Sequence, residues 1–347
     1  MNDGIRIGRS TPWLIMALAS GVASASLWLS VFLAPLFLIP LQVAFGRLGK
    51  KGAGLAVGSS ILVLAPAEIW RVADVGRGIA ALDILAALAF PLGAILVLIL
   101  INGSFLERIP HSVRTLALGL IAGAIAAPAV ASLLSDEGLR AALTQSISRL
   151  VERFVGVLPG TAAAQQAPGG PPVGGYDAAA LAASFDPAEM VTTTMNVFAS
   201  CYAALFCLLF GGSWWIGSRL SGEGSAARRT APPLSGFRAP RALVWPFLAS
   251  LGLLLIVLYL KAGLAYRAIA WNLVLAMSLV YAVQGLGIVA HVFDRLRMPR
   301  GFRIAFAVAV LISAIGSPIG AALVAILPLL GVTELWIPYR NPKGVGA

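Results

Sequence analysis

Few side chains in this sequence are equipped for chemistry, and those few lie inside long apolar runs. Asn196, Asn272, Tyr281, Gln284 and His291 offer amide, phenol and imidazole groups, and Asp83 offers a lone carboxyl. Tyr281, Gln284 and His291 follow one another at spacings of three and seven, the period of one helix face. Asn272 precedes Tyr281 by nine residues and points roughly the other way. Polar groups at membrane depth are candidates for function, which makes Asn272, Tyr281, Gln284 and Asn196 the candidate ligand-binding set. The same amides and phenol can instead hydrogen-bond neighbouring helices and serve packing alone. Asp83 stands at the outer end of its helix, where water reaches it. His291 is near enough to the inner interface to snorkel.

Catalytic patterns are missing. The sequence has no HExxH, no P-loop and no GxSxG elbow. No pair of acidic residues falls within one span, so a carboxylate relay or carboxylate-held metal lacks ligands. Cys201 and Cys207 are six apart in one predicted helix and face different ways, and only His111 and His291 could join them. Both cysteines read as small buried hydrophobes, with no disulfide, metal or cofactor expected. An enzyme is not expected, because acid–base or metal-assisted lipid chemistry needs more His, Asp or Glu than the loops hold.

The elements that must position these groups follow from composition. Of 347 residues, 59% are hydrophobic and 11% charged, and the mean hydropathy is +0.91. A soluble domain cannot cover that much apolar surface, so the solvent is lipid. The runs lack period-2 alternation, which favours helices over barrel strands. The expected fold is all-α, a polytopic transmembrane bundle of about nine spans, with eight as the alternative. The spans are Pro12–Ser30, Phe32–Phe45, Ala53–Trp70, Ile79–Ile101, Val113–Leu134, Val191–Ile216, Ala242–Leu260, Ala268–Phe293 and Ile304–Leu330. The second is short and holds Pro35 and Pro40, so a kink or re-entrant path is expected there. The division is 1–134 for five N-terminal spans, 135–190 for an extramembrane segment and 191–347 for four C-terminal spans.

Charge placement supports nine spans. With the N-terminus inside, 16 of the 25 Lys and Arg fall on the inner side, Arg6, Arg9, Arg47, Lys50 and Lys51 among them. Arg340 and Lys343 then fall outside. Merging the first two spans leaves 14 inside and weakens the bias. The net charge of +11 is scattered through short loops rather than gathered in one basic domain, which argues against nucleic acid. Arg6, Arg9 and Ala23-Ser24-Ala25 imitate a signal peptide, but the chain stays apolar to Phe45, so an uncleaved first span is expected.

Residues 135–190 break the pattern. Leu139, Leu143, Ile147, Leu150, Val151, Phe154 and Leu158 recur at helical spacing, with Arg140, Arg149, Glu152 and Arg153 elsewhere around the helix. This reads as an amphipathic helix in the outer interface or packed on the bundle. Residues 159–175 read as a Pro/Gly linker. Asp186-Pro187-Ala188-Glu189 carries a cap, a first-turn Pro and a capping-box Glu. The Arg-rich loop 221–241 reads as a solvated topogenic loop or a contact with anionic headgroups. Small residues form stripes: Ala17, Gly21 and Ala25 on one face of the first span, Ala19-xxx-Ala23 beside it, then Gly119-xxx-Gly123 and Gly316-xxx-Gly320. Such stripes allow close helix approach. Ala17, Ala19, Gly21 and Ala23 are the candidate docking residues for another membrane protein, with internal packing as the plainer use.

The C-terminal third resembles the YybS-like family of bacterial membrane proteins. The residues that carry this are Asn272-Leu273-Val274-Leu275, then Tyr281-Ala282-Val283-Gln284-Gly285-Leu286-Gly287, and the closing Gly331-Val332-Thr333-Glu334-Leu335-Trp336-Ile337-Pro338-Tyr339-Arg340. Pro338 stands where family members often have an acidic residue. The Pro-containing second span followed by basic residues is similar as well. The family looks distantly like the substrate-binding membrane subunits of energy-coupling-factor vitamin transporters, which bind a small molecule from outside and dock through small residues of the first helix. The resemblance implies a helix bundle in the bacterial cytoplasmic membrane and transfers no reaction. Two functions follow as expectations: a transporter-like protein that binds a small solute, and a non-catalytic scaffold or assembly partner.

Overall fold

Unbroken runs of Leu, Ala, Ile and Val leave a backbone in hydrocarbon with no hydrogen-bond partner but itself, and the chain answers with helices. A computed structural model describes residues 11–74, 81–157, 186–222, 225, 231–314 and 318–340, and these contain helices and no strands. The helices are α1 (Thr11–Leu29), α2 (Leu38–Asp74), α3 (Ala81–Ile101), α4 (His111–Ser135), α5 (Glu137–Val157), α6 (Pro187–Leu220), α7 (Val244–Tyr259), α8 (Leu264–Arg295), α9 (Arg300–Ala314) and α10 (Pro318–Thr333). Among the described residues seven helices are long and apolar enough to cross a membrane, namely α1 to α4 and α6 to α8. Arg6, Arg9, the linker 159–175, Leu158, Gly316 and Lys343 lie outside the described residues.

The nine expected spans are redrawn in two places. The second and third share one element, α2, broken at Gly49 by φ 67° and ψ −170°. That conformation is open to glycine and strained for any residue with a Cβ. Beyond the break, α2 runs parallel to α1. Ser59 Oγ donates to the Leu18 carbonyl, the Trp28 indole N–H donates to Glu68 Oε1 at 2.8 Å, and Arg71 donates to the Leu29 carbonyl. Two successive helices can lie parallel only if the link between them returns along their length, about 28 Å for the 19 residues of α1. Residues 30–48 make that return, through a 3-10 turn at Ala34–Leu36 and the short first part of α2. Pro35 sits in that turn and Pro40 in the first turn of the helix, the positions where a missing N–H costs least. Lys50 and Lys51 are thereby brought back to the end where α1 starts.

The second change is at the C-terminus. Residues 304–330 are expected as one crossing, and their described parts are α9 and α10, on either side of residues 315–317. Arg303 at the start of α9 pairs with Asp294 of α8, and Phe293 packs edge-on against Phe302 and Phe306. At the far end Gly331 lies directly on the Tyr281 carbonyl and Gly285 of α8. A single crossing would carry Gly331 to the start of α8, about 25 Å away along that helix. Both ends of the segment therefore meet the second half of α8. Arg340 Nη1 donates to the Ser235 carbonyl at 3.0 Å, which places it beside the loop joining α6 to α7. The expectation that Arg340 lies on the opposite side from that loop is corrected. Charge placement treats a long apolar run as one crossing, whereas close glycine packing against mid-α8 holds α10 back.

One end of the bundle gathers the basic residues. Arg47 donates to the carbonyls of Leu220 and Ser221 at the end of α6, and Arg114 at the start of α4 donates to that of Ile101 at the end of α3. Asp186 caps α6 through its side chain, which accepts from the Ala188 N–H, as its sequence predicts. The amphipathic α5 packs on α6 and leaves Leu143 and Leu150 exposed.

Candidate functional site

Asn272 is buried where α8 meets α6. The Ala203 N–H donates to its Oδ1 at 2.8 Å, and its Nδ2 donates to the carbonyls of Ala199 at 2.7 Å and Ala268 at 2.8 Å. Ala203 and Ala199 are the N–H and C=O that a regular helix pairs with each other. The Asn272 amide bridges them and ties α6 to α8.

Gln284 lies on the other side of α8 and is equally buried. Its Oε1 accepts from the Ala239 N–H at 2.9 Å, and its Nε2 donates to Glu334 Oε2 at 2.9 Å. Arg340 Nε donates to Glu334 Oε1 at 2.6 Å, and Arg340 Nη2 pairs with Glu334 Oε2. The two charged side chains are only 4% and 6% exposed. Burial pushes the Glu334 carboxyl up, but hydrogen bonds from Arg340 and Gln284 and the charges of Arg340 and Arg238 hold it below its ordinary range. Gly287 permits this arrangement, because a Cβ there would meet the Leu234 carbonyl oxygen at 2.5 Å. The loop at 231–243, the middle of α8 and the segment after α10 are thus joined by one buried polar clamp.

Tyr281 shares the Gln284 face and is fully buried, its ring 5.1 Å from that of Phe247. Its hydroxyl has no hydrogen-bond partner among the described residues. Asn196 stands apart from all three. It lies exposed in an open groove between α6 and α8, with Thr193, Val197 and Cys201 on one wall and Trp271 and Leu275 on the other. The four sequence-predicted residues therefore occupy three places: a helix tie, a buried clamp with Tyr281 beside it, and a groove.

Sequence reasoning overlooked two further polar groups. Gln42, fully buried, pairs reciprocally with the Asn102 amide and donates to Ser218 Oγ at 3.1 Å, joining the return segment, α3 and α6. Its signal was an amide inside the second apolar run. Glu68 is buried in α2 between the Trp28 indole and Arg71. Its signal was an acid three residues before a cation on one helix face.

Of the docking candidates, Ala17 and Gly21 are buried against α2, where a Cβ on Gly21 would overlap Ser59 and Ala56. Ala19 and Ala23 lie on the exposed face of α1. Gly119 and Gly123 hold α4 against Cys207 and Ala203 of α6. Among the described residues no three His, Cys, Asp or Glu side chains come together as metal ligands.

Residues 172–330 match the model of a family described as predicted membrane protein, DUF2232. The match takes in α6 to α9 and most of α10, and ends before Glu334. No curated protein and no solved structure matches the chain. The apolar helices and this family similarity agree: the chain is an integral membrane protein that passes through the bilayer several times.

Proposed function

We propose that the chain is a transporter-like, non-catalytic protein of the bacterial cytoplasmic membrane that binds a small solute in the groove between α6 and α8. The observation that carries this reading is Asn196, whose carboxamide stands exposed in that groove beside Thr193 and Trp271. Asn272 and Gln284, by contrast, spend their amides on other protein groups. The concentration of Arg and Lys at one end supports a cytoplasmic position for that end and for the start of α1. The groove, in the first half of α6 and of α8, then faces outward. The resemblance to the YybS-like family, and through it to solute-binding subunits of energy-coupling-factor transporters, points the same way. Native mass spectrometry of the purified protein tests it. A co-bound small molecule, lost in Asn196→Leu with the fold intact, is the expected result. Empty spectra for the wild type, with unchanged uptake in the variant, count against it.

The scaffold reading has its own support in the free face of α1, where Ala19 and Ala23 are exposed together with Ile15 and Val22, which are 61% and 45% exposed. In-membrane crosslinking from position 19 distinguishes it. A reproducible partner protein supports a scaffold, and lipid adducts alone oppose it.

A further inference from the structure

The groove has a depth as well as a shape. Helix α6 has 34 residues and α8 has 32, each well beyond the ~20 that cross hydrocarbon. Arg219 and Arg295, in the last turns of these helices, mark headgroup level at the basic end. Counting back about 20 residues reaches Ala199 on α6 and Leu275 on α8. The two helices run side by side there, tied through Asn272 to Ala199 and Ala203. Both counts therefore place the opposite hydrocarbon boundary within the groove. Thr193, Asn196 and Trp271 stand just outside it, and Cys201 and Leu275 at or inside it. Trp271, 36% exposed, sits where tryptophans favour the interface.

We infer that the groove's ligand is an uncharged amphiphile, with a hydroxyl-bearing head and an apolar tail, entering sideways from the outer leaflet. This rests on the reading of the groove as the solute site and narrows its substrate class. A carboxamide donates and accepts, and a threonine hydroxyl does the same, so together they match an alcohol or glycerol head. No lining residue is charged, so the groove offers an ionic head no counter-charge. The inner half presents Cys201 and Leu275, which suit an alkyl chain, and Ser200, whose hydroxyl is already spent on the Asn196 carbonyl. The open side lies along the helix surface toward lipid.

Cys201 is a built-in reporter, half-buried in the groove wall, while Cys207 is buried elsewhere. The protein is placed in phosphatidylcholine nanodiscs and the alkylation rate of Cys201 by a membrane-permeant maleimide is followed, with Cys201→Ser setting the background. Monooleoylglycerol at twice its Kd is expected to slow labelling about threefold, because protection follows 1 + [L]/Kd. Oleoyl lysophosphatidic acid, with the same tail and a charged head, is expected to leave the rate unchanged. Asn196→Leu and, as a gentler variant, Asn196→Ala are expected to lose the protection. Equal protection by the charged lipid, or protection that survives in both variants, overturns the inference. Protection by free glycerol that Asn196→Leu abolishes also overturns it but leaves the groove as a solute site. No protection by any probe, together with empty native spectra, overturns both.

Discussion

Replacing Arg340 by Met removes one member of a buried ion pair and leaves the other behind. The guanidinium holds both oxygens of Glu334 and the Ser235 carbonyl, and both charged side chains are almost wholly out of solvent. Orphaning a buried charge costs about 3–5 kcal/mol. At roughly 2 °C per kcal/mol for a chain of this length, the apparent Tm should fall by about 6–10 °C. The double variant Arg340→Met, Glu334→Leu removes both charges. What remains unpaired is the Gln284 amide N–H and the Ser235 carbonyl, at about 1–3 kcal/mol. The double variant is therefore expected to be more stable than Arg340→Met alone. Heating the four proteins of the cycle in mild detergent and measuring the monodisperse fraction by size exclusion gives the comparison. The reasoning fails if Arg340→Met melts with the wild type, or if the double variant falls by the sum of the singles. The first outcome would mean that the segment after α10 does not dock; the second, that the two residues act separately.

Other outcomes follow from the same contacts. A reporter fused after Ala347 should lie on the same side of the membrane as one inserted after Ala226, because Arg340 and Ser235 are joined; a nine-span topology puts them on opposite sides, and paired fluorescent and periplasmic reporters decide. The clamp should weaken in acid: the folded pKa of Glu334 is depressed, so its contribution is complete above the ordinary ~4.3 and lost as pH falls through the folded value, read as a Tm that drops in the wild type more than in Glu334→Leu. Gly331→Val should cost about 1–3 kcal/mol, since its Cβ would overlap the Tyr281 carbonyl, whereas Ala23→Val on the exposed face of α1 should leave Tm unchanged. Gln284→Leu should destabilise more than Asn272→Leu. The Ala203 N–H and Ala199 carbonyl released by the latter can close on each other, for a loss of about 0.6–1.7 kcal/mol, while the Ala239 N–H lies outside any helix and has no such substitute.

That last contrast also shows what the sequence could and could not carry. The helices were legible because hydrocarbon admits almost nothing else, and Asn272, Tyr281, Gln284 and Asn196 were legible as polar exceptions within them. Their roles were not, because an amide that binds a solute and one that ties two helices have the same spacing and the same surroundings in sequence. Asn272 and Gln284 resolve only when their partners are known, and each has a backbone partner in a distant segment, Ala203 and Ala239, which carries no side-chain signal. The path of the crossings was hidden for a related reason. Hydropathy measures what can sit in lipid, not the direction in which it runs. Residues 30–48 cross with only a short helix because α1 and the main part of α2 lie parallel, and residues 304–330, though apolar throughout, are held at mid-α8 by Gly331 and Gly285. The glycines were visible as residues. Their requirement for close approach was not, since it belongs to a pair of helices and neither sequence position states its partner.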